Sequence, residues 1–331
     1  MVIVQTPVRI SFFGGGTDYP VWFKENGGAV LATAIDKYIY TSVRPLPAFH
    51  DHKHRLIYSK IEDVCEVDQI QHPAVREVFR YMEVKNGIEL HHDCDLPARS
   101  GLGSSSSFVV GLLHALHAQN GEAVDKKMLS RESIHVEQDM IGENVGCQDQ
   151  IMAAYGGFNV VHFHQDGSFR LDPVIMRAPR MTEFHSHLML FYTGISRIAS
   201  VVAAEQIKNT PKKATELQAM HQMVREGIGI LGSSSPITDF GKLLHEGWVA
   251  KKSLSSKISN PEIDEIYDAG RAAGAVGGKL LGAGSGGFML LFVPPEKQAA
   301  VRMRLANLMH VPFNFESTGS NIIFYRAAAA S

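Results

Sequence analysis

The chain has 331 residues, long enough for two domains rather than one. With 45% hydrophobic residues, 20% charged residues and a formal net charge of −2, it reads as an ordinary globular protein, with no electrostatic case for nucleic acid or an anionic membrane surface. Its three cysteines, Cys65, Cys94 and Cys147, lie far apart and match no zinc or redox spacing, so a reducing cytosol is the expected home.

The opening "MVIVQT" and "VRISFF" read as two strands. In the second, Arg9 shares a face with Ser11 and Phe13, while Val8, Ile10 and Phe12 take the other. This start is too short, and too broken by Gln5 and Pro7, for a signal peptide. "GGGTDYP" follows with Gly15, Gly16, Thr17 and Asp18, a run that a plain hairpin turn would equally explain. "AVLATAI" and "YIYTSVRP" are strand-like, then a helix is predicted from about Pro73 to Asn86 and a strand near Ile88 to His92.

Next comes "LPARSGLGSSSSFVVGLLHAL". After its serines, Phe108, Val109, Leu112, Leu113 and Leu116 share one helical face, so the loop feeds a helix N-terminus. Free backbone N–H groups and the positive end of the dipole favour an anion there. Gly101 and Gly103 remove side chains from the path of a phosphate, and the serines add hydroxyl donors and one candidate magnesium ligand. A serine helix cap explains one serine and one glycine, not four serines behind two glycines. No G-K-[ST] follows the glycines, and the H-R-D and D-F-G pair is missing, which disfavours the Walker and protein-kinase classes.

A helix is predicted from about Lys127 to Gly142, with Ile134, Glu137 and Ile141 on one stripe. An ionised carboxylate on an apolar stripe needs a cation, a donor or a raised pKa; a structural salt bridge to arginine is the plain alternative. Asp149 opens a further short helix, where a helix cap is the plain alternative. "GGFNVVHF" and "SHLMLFYT" read as strands, followed by helices from about Arg197 to Asn209, Lys213 to Leu231 and Pro236 to Ser255. The tail runs helix (Pro261 to Ala273), strand ("GGFMLLFV"), helix (Glu296 to Met309) and strand ("NIIFYR"). That order suits an α+β domain with helices on one face of a small antiparallel sheet, and a boundary is expected near residue 180.

"LLGAGSGG" holds a G-x-G-x-x-G at Gly282, Gly284 and Gly287. Read as following a helix and opening a strand, it fails as a dinucleotide fingerprint and is expected to be a turn packed against the first glycine loop or a ligand. The histidine pairs of "HFH" and "HSH" alternate along predicted strands and share a face, but H-E-x-x-H and paired C-x-x-C are missing, so strand-face histidines are expected rather than zinc. "FMLLFV" is too short for a membrane span, and the closing "AAAAS" has no packing logic.

Three of these stretches together resemble the GHMP kinases, the family of galactokinase, homoserine kinase, mevalonate kinase and phosphomevalonate kinase. "TPVRISFFGGGTDYP" is similar to its first motif, "PARSGLGSSSS" to its second and "LLGAGSGG" to its third. The resemblance implies a two-domain α+β architecture: residues 1–180 an ATP-binding domain like that of a ribosomal protein (S5-like), 181–326 a ferredoxin-like domain, and 327–331 a disordered tail. It implies ATP and Mg2+ as cofactors, with Pro97, Gly101, Leu102, Gly103, Ser104, Ser105, Ser106, Gly282 and Gly284 on the nucleotide, and Ser105 with Glu137 on the metal. Glu137, Gly142, Gly146, Asp149 and Gln150 of "EQDMIGENVGCQDQ" reproduce the galactokinase stretch that leads to the catalytic aspartate. By that match Asp149 is the base for the acceptor hydroxyl, Arg9 sits near the transferring phosphate, and Gly15, Gly16, Thr17 and Asp18 bind substrate, Asp18 at sugar hydroxyls.

One departure matters. Galactokinases carry Glu-His before the Thr-Asp of the first motif, where this chain has Gly15 and Gly16, which argues against galactose. "RISFFGGGTDYP" resembles instead the D-glycero-D-manno-heptose 7-phosphate kinase branch, which implies transfer to the anomeric hydroxyl on a route to nucleotide-activated heptose for capsule, S-layer or lipopolysaccharide. A sugar-phosphate partner needs a second anion site, for which Lys24, Arg44, Lys53, Arg55 and Arg197 are available. The expectation is therefore a cytoplasmic sugar kinase with no nucleic-acid or membrane partner, and a homodimer is compatible with it. Other acceptors (sedoheptulose 7-phosphate, fucose, heptose 1-phosphate) and a non-catalytic sensor of ATP and sugar stay open, although a sensor has no need of Glu137, Asp149 and Arg9 together.

Overall fold

The two predicted N-terminal strands are one: Val2, Val4, Val8, Ile10 and Phe12 all enter the core from a single strand. Pro7 sits where the register shifts, so its missing N–H interrupts no regular ladder, and Ser107 donates to its carbonyl at 2.8 Å. The computed structural model describes residues 1–97, 100–195 and 199–327, by backbone alone over 199–201. Arg197 and residues 328–331 of the expected tail lie outside the described residues.

In chain order, β1 (Val2–Phe13), α1 (Pro20–Asn26) and β2 (Gly28–Pro45) are followed by β3 (His54–Ile57), β4 (Ile61–Val64), α2 (Pro73–Tyr81) and β5 (Ile88–Cys94). Then come α3 (Ser104–Gln119), α4 (Lys126–His135), a π turn over Val136–Met140, α5 (Gln148–Tyr155), β6 (Phe158–Phe163) and β7 (Phe169–Pro173). The second half runs α6 (Ala178–Ser186), β8 (Leu188–Tyr192), α7 (Ala199–Asn209), α8 (Ala214–Gly232), α9 (Thr238–Lys252), α10 (Pro261–Ala272), β9 (Gly277–Leu280) and β10 (Phe288–Phe292). It closes with α11 (Gln298–Arg304), β11 (Met309–His310), β12 (Phe315–Glu316) and β13 (Asn321–Tyr325).

The first sheet runs β13-β1-β2-β5-β3-β4, with β6 and β12 also on β2, and β7 on β6. The 18-residue β2 merges the two strands predicted there; its first half pairs with β6 and its second half with β5. The second sheet, β11-β8-β10-β9, is antiparallel and packs against α9 and α10. Its boundary with the first half is not a clean cut, because β12 and β13 return to the first sheet, β13 pairing with β1.

Two local expectations are corrected. "HSH" does not lie on a strand: Pro179 starts α6, which runs to Ser186, and His185 and His187 bond the carbonyls of Phe313 and Glu183. The G-x-G-x-x-G run does not follow a helix directly but joins β9 to β10 as a turn between antiparallel strands. β9 went unread because Gly277 and Gly278 hide its strand pattern.

One aromatic core ties the two halves. Phe184 of α6 lies 5.4 Å from Phe12 of β1 and 4.7 Å from Phe240 of α9, and Phe240 lies 6.0 Å from Phe292 of β10. Offset and edge-on pairs of this kind contribute about 0.5–1.5 kcal/mol each beyond the area they bury. They also fix β1, and so Arg9, against α9 and β9–β10.

Candidate active site

A cavity of about 260 Å³ opens where these elements converge, lined from both halves of the chain. Its floor is the start of α3. Gly103 caps that helix in the left-handed region (φ 77°), a conformation costly for any residue with a Cβ. A Cβ there would also stand 3.2 Å from the Asp149 carboxylate. The four serines divide the work. Ser104 and Ser105 line the cavity, Ser106 is buried and hydrogen-bonded to Glu137, and Ser107 holds the Pro7 carbonyl. A helix N-terminus cleared of side chains, with hydroxyls beside it, fits the phosphates of ATP.

Asp149 lies in the first turn of α5, but its side chain caps nothing. Arg9 Nε donates to Oδ1 at 2.8 Å, Nη2 reaches the same oxygen at 2.7 Å, and Nη1 donates to the Gly101 carbonyl at 2.9 Å. Arg9 thus binds Asp149 and the glycine loop into one unit. A backbone bond from Arg9 N to Leu102 O (3.0 Å) adds to it.

Glu137 falls on the π turn, which swings it inward; such turns recur at functional sites. It is 1% exposed, accepts from Gln150 Nε2 and Ser106, and has no arginine partner among the described residues. Burial raises its pKa to about 7, against the pull of those two bonds. A divalent cation would restore its charge. Among the described residues no cluster of three His, Cys, Asp or Glu holds a metal alone, so phosphate oxygens and water would complete the shell, as magnesium prefers.

Asp18 is buried and accepts from Gly16 N and Gln148 Nε2, both at 2.9 Å. Desolvation is the main cause of its raised pKa, with a push from Asp149. A Cβ at Gly146 would lie 1.9 Å from Asp18 Oδ2, so any larger residue there would push the Asp18 carboxylate aside. Ser11 Oγ and Gln148 Oε1 border the same space and have no partner among the described residues.

Four expected site residues lie elsewhere. Thr17 turns inward and staples Gly14 O (2.8 Å) and Ala29 O (2.9 Å), Leu102 is core, Pro97 is exposed, and Gly284 packs on Ile258. None of them lines the cavity, whereas Gly15, Gly16, Gly101 and Gly282 do. Gly282 packs against the first loop: a Cβ there would stand 2.5 Å from Gly101 Cα. Lys24, Arg44, Lys53 and Arg55 do not border it either; Arg44 pairs with Glu89. Two unread cations do: Lys251 of α9 and Lys279 of β9.

An anion cradle, a clamped carboxylate facing it and a second carboxylate placed for a cation define a phosphotransferase. Residues 70–157 match the family model of the GHMP kinases N terminal domain, and residues 233–310 that of the GHMP kinases C terminal. The chain belongs to the GHMP kinase family. It is 29% identical over 309 residues to the D-glycero-alpha-D-manno-heptose 7-phosphate kinase of Campylobacter jejuni, 89% of this chain and 90% of that protein. It is 27% identical over 340 residues to L-fucokinase/L-fucose-1-P guanylyltransferase of Bacteroides fragilis, 91% of this chain but 35% of that one. The crystal structure of a D-glycero-D-manno-heptose 1-phosphate kinase from Bacteroides thetaiotaomicron matches in fold, with a TM-score of 0.80 at 22% identity over 99% of this chain and 100% of that chain.

Proposed function

We propose that this kinase transfers the γ-phosphate of ATP to the anomeric hydroxyl of D-glycero-D-manno-heptose 7-phosphate. The observation that carries the reading is the wall at Gly15. A Cβ there would meet nothing closer than 3.9 Å, so glycine is not a packing necessity; it is room. Beside that room stand Asp18, Ser11 and Gln148, with acceptor and donor capacity unspent, a set suited to a polyol chain longer than a hexose. The similarity to the Campylobacter jejuni heptose 7-phosphate kinase supports the same substrate.

In this reading Asp149 takes the proton of the attacking hydroxyl while Arg9 holds its other oxygen in place. Glu137 with Ser105 would hold magnesium, which would supply charge neutralisation at the phosphates. The α3 N–H groups hold the nucleotide's phosphates, and Asp18 orients the sugar. Positioning and electrostatics of this kind make up most of phosphoryl-transfer catalysis.

ADP release with magnesium–ATP against D-glycero-D-manno-heptose 7-phosphate, sedoheptulose 7-phosphate, mannose, fucose, galactose and mevalonate tests the proposal. Activity confined to the heptose phosphate is the expected result. Turnover of another sugar alone would discard the substrate and keep the mechanism.

A further inference from the structure

Arg9 is the cation that the sequence points to, and three of its five N–H donors are engaged: two meet Asp149 Oδ1 and a third meets the Gly101 carbonyl. A phosphoryl group crossing from the glycine loop towards Asp149 carries its charge on three outer oxygens and needs donors from elsewhere. Among the described residues, two other cations line the cavity. Lys251 and Lys279 are 6% and 5% exposed, and neither forms an ion pair with a carboxylate among the described residues. Burying an ammonium without an acidic partner is costly, and a neutral side chain would fill the same space without that cost.

The two lysines differ in what they face. Lys279 Nζ donates to the Phe12 carbonyl at 2.9 Å, and its charged neighbours are Lys251, Arg9 and Asp18. Lys251 faces Arg9, Asp18 and also Asp149, with Lys279 beside it. Its Nζ donates to the carbonyl of Gly282, the residue packed on Gly101 of the phosphate loop. Lys251 therefore stands between the loop and the base. An ammonium has three donors, and the bond to Gly282 uses one.

We propose that Lys251 is a catalytic residue whose ε-ammonium donates to the outer oxygens of the phosphoryl group in transit, adding to the donors that Arg9 has left while it clamps Asp149. The inference rests on the phosphoryl-transfer reading and not on which sugar accepts. In the step, the acceptor oxygen bonds to the γ-phosphorus as the bond from that phosphorus to the β–γ bridging oxygen breaks. The electron pair leaves on ADP and the hydroxyl proton passes to Asp149. Lys251 exchanges no atom; its hydrogen bonds strengthen as charge builds on the oxygens. Burial lowers its pKa to about 8, and a bound anion would secure its charge.

The alternative source of phosphate is one already standing on the acceptor, and the experiment separates the two. Lys251→Met and Lys251→Gln are compared with the unaltered protein for kcat and KM on a phosphorylated and an unphosphorylated acceptor. Equilibrium affinity is measured for a non-hydrolysable ATP and for magnesium–ADP with aluminium fluoride, a mimic of the group in flight. For a donor aimed at transition-state charge, kcat is expected to fall by about 10²–10³ on both acceptors. Affinity for the aluminium fluoride complex falls in parallel, while affinity for the ATP analogue, which also reports folding, holds. A KM rise confined to the phosphorylated acceptor with unchanged kcat overturns the proposal, as does unchanged affinity for the mimic. Should both variants fail to fold, the unaltered protein still decides: kcat/KM for magnesium–ATP, which reports the free enzyme, falls as pH rises through about 8, and a flat profile from pH 7 to 10 refutes the role. If no sugar on the panel is turned over, the substrate reading fails, and the affinities alone judge Lys251.

Discussion

Replacing Asp149 with asparagine separates base chemistry from architecture. Both Arg9 donors converge on Oδ1, and an asparagine carbonyl keeps that acceptor in place. Oδ2, beside Gly103, has no partner among the described residues and is the oxygen free to take a proton. In asparagine this position becomes an N–H donor, where an acceptor is required. A hydrogen bond to a charged group contributes about 1.5–3 kcal/mol and a neutral one about 0.5–1.5. The bonds to asparagine keep the Arg9 charge, but a guanidinium only 5% exposed loses its anion; with the Asp149 side chain 21% exposed, screening trims that loss of about 3–5 kcal/mol to about 2–3 kcal/mol of stability. Loss of a positioned base lowers kcat by about 10²–10⁴, or about 3–5 kcal/mol of barrier. Rate and stability therefore have to be measured apart. Single-turnover kinetics, chemical denaturation and titration with a non-hydrolysable ATP measure the three quantities, and nucleotide affinity is expected to hold. Turnover within about fivefold of the unaltered protein would reduce Asp149 to an anchor for Arg9 and refute the assignment.

Gly146→Ala forces Asp18 off its bonds; losing a charged hydrogen bond of about 1.5–3 kcal/mol raises the acceptor KM by about 10–100-fold, with ATP affinity unchanged. An unchanged acceptor KM would remove Asp18 from the sugar site. Glu137→Gln is expected to raise the magnesium concentration needed for half activation, and an unaltered metal curve would take Glu137 out of the metal site. His117 lies between Glu132 and Glu122, both at 2.8 Å, and those bonds raise its pKa above 6.5 despite burial. A raised folded-state pKa means the stabilisation is fully present below about pH 6.5 and is lost as pH rises through the folded value. His117→Gln should therefore flatten the fall in unfolding free energy on that alkaline side, measured by denaturant titration at several pH values; an unchanged slope would refute the pairing.

What was legible in the sequence lay in contiguous stretches. The loop before α3 announces itself because its glycines, its serines and the apolar face of its helix adjoin one another, and Asp149 and Glu137 could be matched because their spacing is local. Lys251 and Lys279 could not be found this way. They lie 28 residues apart on α9 and β9, more than a hundred residues after Asp149, and meet the site only because the Phe12, Phe184, Phe240 and Phe292 core presses the second sheet against β1. Neither lysine belongs to a motif with its own periodicity, and a lysine near the end of a helix ordinarily reads as a solvated cap. Pro7 split β1 on paper because a proline argues against a central strand, and nothing local signals the bulge that admits it. Thr17 shows what a motif match leaves open: the turn that follows β1 sends its hydroxyl to the carbonyls of Gly14 and Ala29, while Asp18 borders the cavity.

The pairing of β13 with β1 reaches the ends of the described chain, where Met1 and Arg326 exchange backbone hydrogen bonds, each at 2.8 Å. A ribosome delivers β1 first and β13 more than three hundred residues later. Throughout that interval the outer edge of β1, the strand that carries Arg9, has no neighbour on that side, an invitation to pair with another nascent chain. The same closure brings residues 1 and 326 side by side. Joining residues 1 and 326 and opening an exposed loop elsewhere would let β1 and β13 emerge together, bringing the longest-range contact in the sheet down to the shortest.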